Sequence, residues 1–423
     1  MKVGLISLGC AKNLVDSEVL LAKLRSAGAE IVSDLEEADL VLINTCGFIE
    51  DAKVESIDTI LEVAGEGKRV IVMGCLVERY RRELEEELPE VEAFFGTQSW
   101  DAILNYLGLS TFGKAPLREL TTPRSYAYLK IAEGCDRLCS FCTIPSIRGK
   151  HRSRPMESVL AEVEELARQG IKEINIVSQD TAYYGKDLYG EFKLLDLLHK
   201  IERVEGIEWV RLLYLYPTRV KEDLISYIKD SRKVVPYFDI PVQHVSTKVL
   251  KSMRRGYTES FVRGLVEKIK KEIPGAVLRT TLIVGYPTES AEDFKKLREF
   301  VEEGHFHWLG VFTYSPEEGT HAFPLGDPVP QEEKERRKEE LMSVQARVTA
   351  EKNAALVGKE IEVLVDGCSE EFSFVPKGRG YMHAPDVDGS VYIETTERAL
   401  KVGEMIRVRI NQATDYDLGG VLL

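Results

Sequence analysis

The chain has 423 residues, 44% hydrophobic and 30% charged, which is enough for two to four globular domains. Its 70 acidic and 56 basic residues give a formal net charge of −14, which argues against a protein built mainly to grip a phosphate backbone and favours a basic protein partner. No run of about 18 apolar residues suggests a membrane span, and the MKVGLISLGCAKN start is too short in its apolar stretch for a secretory signal, so a cytoplasmic protein with reduced thiols is expected.

The first segment, 1–112, alternates apolar runs with amphipathic stretches. VGLISL leads to Cys10 and a helical pattern from Leu14 to Ala27; DLVLINT leads to Cys46 and a helical pattern from Glu50 to Val63. RVIVMG then leads to Cys75 and a charged helix ending near Pro89. Such alternation predicts an open parallel α/β sheet. Ligands of open parallel sheets gather outside the carboxyl ends of the strands, and all three cysteines fall there. Residues 113–124, with Gly113, Pro116 and Pro123, read as a linker.

Residues 125–356 hold a longer strand–helix series: YAYLKIA, EINIVSQ, WVRLLYLY, YFDIPVQ, VLRTTLIVGY and HWLGVFTYS. A helix is expected over Met156–Gln169, with Pro155 at its start. Six βα units are too few to close an eight-stranded barrel, so a partial (βα)6 barrel is expected, with function in the loops after its strands. A charged connecting helix spans Gln331–Leu356. The tail, 357–423, turns to β character (EIEVLVDG, VYIET, MIRVRIN) and suits a small antiparallel β-barrel. From Lys359 to Leu423 it carries 7 basic and 12 acidic residues, an unusual charge for an RNA-holding module.

Six of the seven cysteines form two sets of three. Cys135, Cys139 and Cys142 lie in EGCDRLCSFC, in the loop after the first barrel strand, while Cys10, Cys46 and Cys75 are dispersed. Three thiolates are one short of a closed zinc site or a fully ligated four-iron cluster, leaving one metal position open. Short spacing lets one loop wrap an iron–sulfur cluster; a zinc site completed by His151 is the alternative reading. The dispersed cysteines, taken alone, equally suit small buried hydrophobes. Cys368, in DGCSEE, has no partner in this scheme.

EGCDRLCSFC, with Phe141 before Cys142, resembles the signature of radical S-adenosylmethionine (SAM) enzymes. LGCAKNLVDSE, INTCGFIEDAKVESID and VMGC extend the resemblance to the methylthiotransferases, and the tail is similar to their small TRAM-like domain. INIVSQDTAYYG and FDIPVQHVSTKVLKSMRRGYT are similar to the branch that modifies an aspartate of a small-subunit ribosomal protein, rather than the branch acting on a transfer-RNA adenosine. The resemblance implies a transferase with two [4Fe–4S] clusters and SAM as cofactors. Cys135, Cys139 and Cys142 would hold the radical-generating cluster, and Cys10, Cys46 and Cys75 a second one used in sulfur insertion. A methylthio group would be added to the β-carbon of the aspartate, with an external electron donor and a sulfur source. The same resemblance implies SAM contacts at Phe141, Gly285 and Pro287 and points to no particular catalytic residue beyond the cluster ligands; Gln179, Asp180 and Thr181, which end the second strand, suit SAM's methionine moiety or equally a helix cap or turn. At the Gly285–Tyr286–Pro287 loop the family's next residue is usually glycine; here it is Thr288. Gln243 and His244 end the fourth strand. The run Arg148, Lys150, His151, Arg152, Arg154 suits SAM's carboxylate or the charge of a cluster. Tyr381–Pro385 (YMHAP) matches the family's tail pattern in part. Two rivals remain open from sequence: the transfer-RNA branch, and a non-catalytic iron–sulfur redox protein.

Overall fold

The computed structural model describes residues 1–111, 117–371, 373–395 and 399–423. The N-terminal region contributes strands β1 (Lys2–Ser7), β2 (Glu30–Ile31), β3 (Leu40–Thr45), β4 (Arg69–Gly74) and β5 (Ala93–Phe95) to one parallel sheet of order β2-β1-β3-β4-β5. Every residue of the central β3 is buried, as a strand covered by helices on both faces must be, which explains its unbroken apolar sequence. The expected helices run over Ala11–Ser26 and Glu50–Gly65. The short edge strands β2 and β5 lie below the length at which a sequence run announces a strand.

The second sheet is built from β6 (Tyr126–Lys130), β9 (Glu173–Val177), β10 (Trp209–Leu212), β11 (Val234–Asp239), β12 (Val277–Val284) and β13 (Trp308–Thr313), all parallel and in chain order. It curls into the expected half-barrel. Between its first two strands lies a small antiparallel ribbon, β7 (Ala132–Glu133) with β8 (Arg152–Ser153), which brackets the cysteine-rich loop. Leu129, Ile174, Ile176, Val210 and Leu212 face helices such as Met156–Arg168 and Leu194–Ile201 in the main core. The helix Gln331–Ala354 is more than a connector: its Leu341 and Val344 enter the same core.

The opposite face of the half-barrel is aromatic, with Tyr126, Tyr128, Trp209, Tyr237 and Trp308, and it meets Leu364, Met382 and Ala384 of the tail. The tail is a closed barrel of β14 (Glu360–Cys368), β15 (Pro376–Arg379), β16 (Val391–Glu394), β18 (Leu418–Leu422) and β17 (Met405–Ala413), in that order around the barrel. One pair departs from the antiparallel expectation: β16 and β18 run parallel, because the long β17 lies between them in sequence and reverses the chain. YMHAP turns inward. Arg211 donates to the Tyr381 carbonyl at 2.6 Å and the Trp308 indole to that of Met382 at 2.7 Å, so this segment docks the tail onto the half-barrel. His383 is fully buried there, and burial, with Arg211 and Arg379 nearby, pulls its pKa down to about 3.

Part of the tail's negative charge is spent on the same docking: Asp366 pairs with Arg379 and Ser125, Asp386 accepts from Tyr126 and Tyr128, and Asp388 accepts from Tyr237. Residues 113–116 of the expected linker lie outside the described residues. Its later part lies against the helix Ala11–Ser26, with Arg118 buried between Glu18 and Glu162. Among the described residues, no helix is long and apolar enough to cross a membrane.

Candidate active site

Cys10, Cys46 and Cys75 follow β1, β3 and β4 at one edge of the first sheet. Their loops are pressed together through glycines: a Cβ on Gly9 would sit 2.7 Å from the Cβ of Cys46, and one on Gly47 2.7 Å from the Cα of Leu76. Gly9 also holds φ +85°, which side-chain-bearing residues rarely adopt. The topology thus converges three cysteines that are far apart in sequence. Burial raises the Cys75 thiol to about 12 and also lifts Cys46, and the neighbouring thiols push both the same way. At Cys10 burial is overcome by the charges of Lys12 and Arg148, which hold its pKa below the ordinary value.

The second set lies in the loop after β7. Cys135 and Cys139 are buried and Cys142 is half-buried. Burial pushes Cys135 up to about 11 and Cys142 to about 12, and Cys139 adds to both. Among the described residues, no three His, Cys, Asp or Glu side chains are close enough to share one metal ion. The donor chemistry, three soft thiols and no histidine, suits a cluster whose iron atoms are spread apart. His151 is engaged elsewhere: its ring bonds to Ser153 at 3.1 Å and lies 3.9 Å from Asp187, edge-on to Tyr183. The zinc alternative loses its fourth ligand on that geometry.

Each set has one buried arginine with an N–H on a thiol sulfur. Arg255 donates to Cys139 at 3.1 Å, and to the Pro241 carbonyl and Tyr257 hydroxyl. Arg148, only a few residues beyond Cys142, donates to Cys75 of the other set at 3.3 Å. It also binds Asn13, Asp16 and Glu133. Lys130 bridges the same two acids. Burial works against the charge of Glu133, but Lys130 and Arg148 hold its pKa down to about 2. A buried chain of alternating charge therefore joins the half-barrel to the cysteine edge of the first sheet. Lys150 and Arg152 are exposed, and Arg154 pairs with Glu162, so only Arg148 of the basic run reaches a cysteine.

The residues assigned to SAM fall into two groups. Phe141 lies against a cluster containing Tyr286, Tyr314 and Met253, and Ser140 bonds to the Tyr286 hydroxyl at 2.8 Å, so the cysteine loop and the Gly285–Pro287 turn are brought together. The Gly285 N–H donates to Glu289, which is fully buried between His244 and Arg337. Thr288 lies outside the left-handed backbone region, so the turn does not require glycine there, and Ser290 caps the helix Ala291–Glu302. In the other group Gln179 donates to Glu133 at 3.2 Å, and Asp180 pairs with Arg137 beside Cys135. Gln179 Oε1 and Asp180 Oδ1 are buried without a partner, and both are free to accept from a ligand. Thr181 is different: its hydroxyl donates to the Leu213 carbonyl at 2.6 Å and anchors a turn. Gln243 adopts φ +69° and bridges to β12 through its backbone, and His244 accepts from the Ser246 N–H. Cys368 is exposed at the end of β14. Sequence reasoning missed Asn13, Asp16, Lys130, Glu133 and Arg255, because buried charge reads in sequence as ordinary surface charge.

The half-barrel with a three-cysteine loop after its first strands defines a radical-SAM protein, here joined to a second cysteine-bearing sheet and a small β-barrel. Residues 129–301 match the family model described as Radical SAM superfamily, residues 2–96 the uncharacterized protein family UPF0004 and residues 357–423 the TRAM domain. A protein of Aquifex aeolicus (strain VF5), named ribosomal protein uS12 methylthiotransferase RimO, is 66% identical over 99% of this chain and 97% of its own length. One of the same name from Sulfurihydrogenibium sp. (strain YO3AOP1) is 49% identical over 99% of both chains. The chain belongs to this methylthiotransferase family. Among solved structures, the radical S-adenosylmethionine methyltransferase TsrM from Kitasatospora setae, with cobalamin and a [4Fe-4S] cluster bound, shares the fold at TM-score 0.54 and 16% identity, over 76% of this chain and 77% of that one.

Proposed function

We infer that this chain transfers a methylthio group to the β-carbon of an aspartate in ribosomal protein uS12, the protein named in its relatives. The observation that carries the reading is the pairing of two three-cysteine sets at the carboxyl ends of two parallel sheets, linked through Arg148. Cys135, Cys139 and Cys142 would hold one [4Fe–4S] cluster and Cys10, Cys46 and Cys75 the other, each set being one thiolate short of a fully ligated cluster. When bound, the first cluster and SAM supply the radical chemistry that an unactivated C–H bond requires, and the second supplies sulfur.

The protein's own part is binding and orientation. Arg255 and Arg148 offset thiolate charge. Phe141, Tyr286 and the Gly285–Pro287 turn form one wall of the SAM site, with Gln179 and Asp180 supplying acceptors across it. Residues 1–112, 125–356 and 357–423 act as cluster-bearing, radical-SAM and docking domains, with 113–124 joining the first two. An external electron donor and a sulfur source serve the reaction, which takes place in the cytoplasm.

An anaerobic assay tests this, with both clusters rebuilt, SAM, sulfide and a reductant, and uS12 and unmodified transfer RNA offered side by side. A methylthio mass gain on an aspartate peptide alone is expected. A gain on adenosine alone, or no modification and no 5′-deoxyadenosine, overturns the reading.

A further inference from the structure

Lys12 is the second residue of the helix Ala11–Ser26, where the helix dipole disfavours a cation. It is nevertheless only 6% exposed. The neighbouring buried cations are paired, Lys130 and Arg148 each with Asp16 and Glu133. Lys12 has no carboxylate at ion-pair distance among the described residues. Its ammonium instead lies 3.4 Å from the centroid of the Tyr214 ring. An aromatic face contributes about 0.5–2 kcal/mol to such a cation, less than the several kcal/mol that burying an ion costs, and it leaves N–H donors unspent.

Tyr214 is not a casual neighbour. It follows β10 and is held at φ +59°, with its N–H on Asp239 Oδ2 at 2.9 Å and its carbonyl accepting from Thr181 at 3.1 Å. Those bonds fix it where β9, β10 and β11 end, the mouth of the half-barrel. Lys12 is thus carried by the first sheet, two residues from Cys10, and delivered to the mouth of the second. Apart from the Cys10 thiol, whose charged form it favours, and the Tyr214 phenol it rests on, this cation faces no acidic group among the described residues, and a carboxylate arriving at the mouth would meet an ammonium with no carboxylate of its own.

We propose that Lys12, seated on Tyr214, receives the side-chain carboxylate of the substrate aspartate; this rests on the uS12 reading above. The carboxylate is bonded directly to the reacting β-carbon, so a fixed carboxylate fixes that carbon one bond away. A cation also tells aspartate from asparagine, which matches it in shape but carries no charge.

The test uses the full-length enzyme with both clusters rebuilt, and uS12 in two forms: native, and with the modified aspartate changed to Asn. Affinity for each is measured by fluorescence anisotropy with wild type, K12M and K12R. Wild type is expected to bind the native form roughly 10- to 100-fold more tightly than the Asn form, the range for a charged hydrogen bond. K12M, loaded with iron at a pH high enough to ionise the thiols, is expected to erase that preference, leave affinity for the Asn form unchanged, and raise KM more than it lowers kcat; K12R restores part of the preference. If K12M keeps the preference but loses iron or alters the cluster spectrum, Lys12 serves the thiolates of Cys10 and its neighbours, and the proposal fails. If it keeps both and only sulfide incorporation falls, the anion is sulfur and the proposal fails equally. If wild type neither modifies uS12 nor prefers its native form, the substrate reading itself is overturned, and the inference with it.

Discussion

The two cysteine sets have the same number of thiols and opposite construction. The barrel set lies in one loop, Cys135 to Cys142, and the arginine on it, Arg255, comes from the same half-barrel and is held by neutral groups: the Tyr257 hydroxyl, the Pro241 carbonyl and the Tyr216 ring. The sheet set is assembled from three strand ends, and its arginine, Arg148, is imported from the other sheet and chained to two buried carboxylates. A local site survives as long as its loop does. A dispersed site depends on tertiary docking, and here the docking bond and the thiol's hydrogen bond belong to one side chain.

The comparison is tested most severely by removing one thiol from each set. C142A is expected to lose one cluster's worth of iron and all SAM cleavage. C46A is expected to lose the same amount of iron, keep reductive SAM cleavage to 5′-deoxyadenosine and lose methylthio transfer; iron analysis and product chromatography distinguish them. If C46A also abolishes SAM cleavage, the two sets are not functionally separate.

Next come the arginines. R148L leaves Asp16 and Glu133, two buried carboxylates, with Lys130 as their one remaining cation among the described residues, and is expected to cost about 3–5 kcal/mol of stability by denaturant titration. R255L leaves neutral acceptors behind and is expected to cost about 1–3 kcal/mol. Equal losses would break the contrast.

A smaller effect concerns pH. Cys75 is raised by burial to about 12 and lowered in part by Arg148, and a thiol must lose its proton to bind iron. Iron loading of the sheet set should therefore improve as pH rises. In a C142A background, R148L removes the influence that favours the thiolate, so the loading profile moves to higher pH. In a C46A background, which reports the barrel set, R148L leaves the profile in place. Charge-transfer absorbance across a pH series reads both. The smallest effect is expected for C368S: this thiol is exposed on the tail, and iron content and activity should match wild type.

Several features were legible in the sequence because they are local. Periodic apolar runs gave the six half-barrel strands, and the C-x3-C-x2-C spacing marked one set of three thiols in a single loop. The gathering of Cys10, Cys46 and Cys75 at one sheet edge followed from strand-end placement only with a rule about parallel sheets added. The linker reading shows the limit: its Gly and Pro content suggested free chain, yet Arg118 within it is buried between Glu18 and Glu162. The acidic tail is similar. In sequence its charge says only that the module is unsuited to RNA, and three of its aspartates hold the tail on the half-barrel.

What the sequence determined by itself was therefore the set of elements, their order and the chemistry of the thiols, since hydrophobic period and ligand spacing are written along the chain. Tertiary structure alone decided which charges are buried together. Lys12 on Tyr214, Arg148 on Cys75, Arg255 on Cys139 and His383 beneath the half-barrel join residues far apart in sequence. A buried ion is affordable only where its partner arrives in the fold, and nothing in the local sequence of either residue records that meeting.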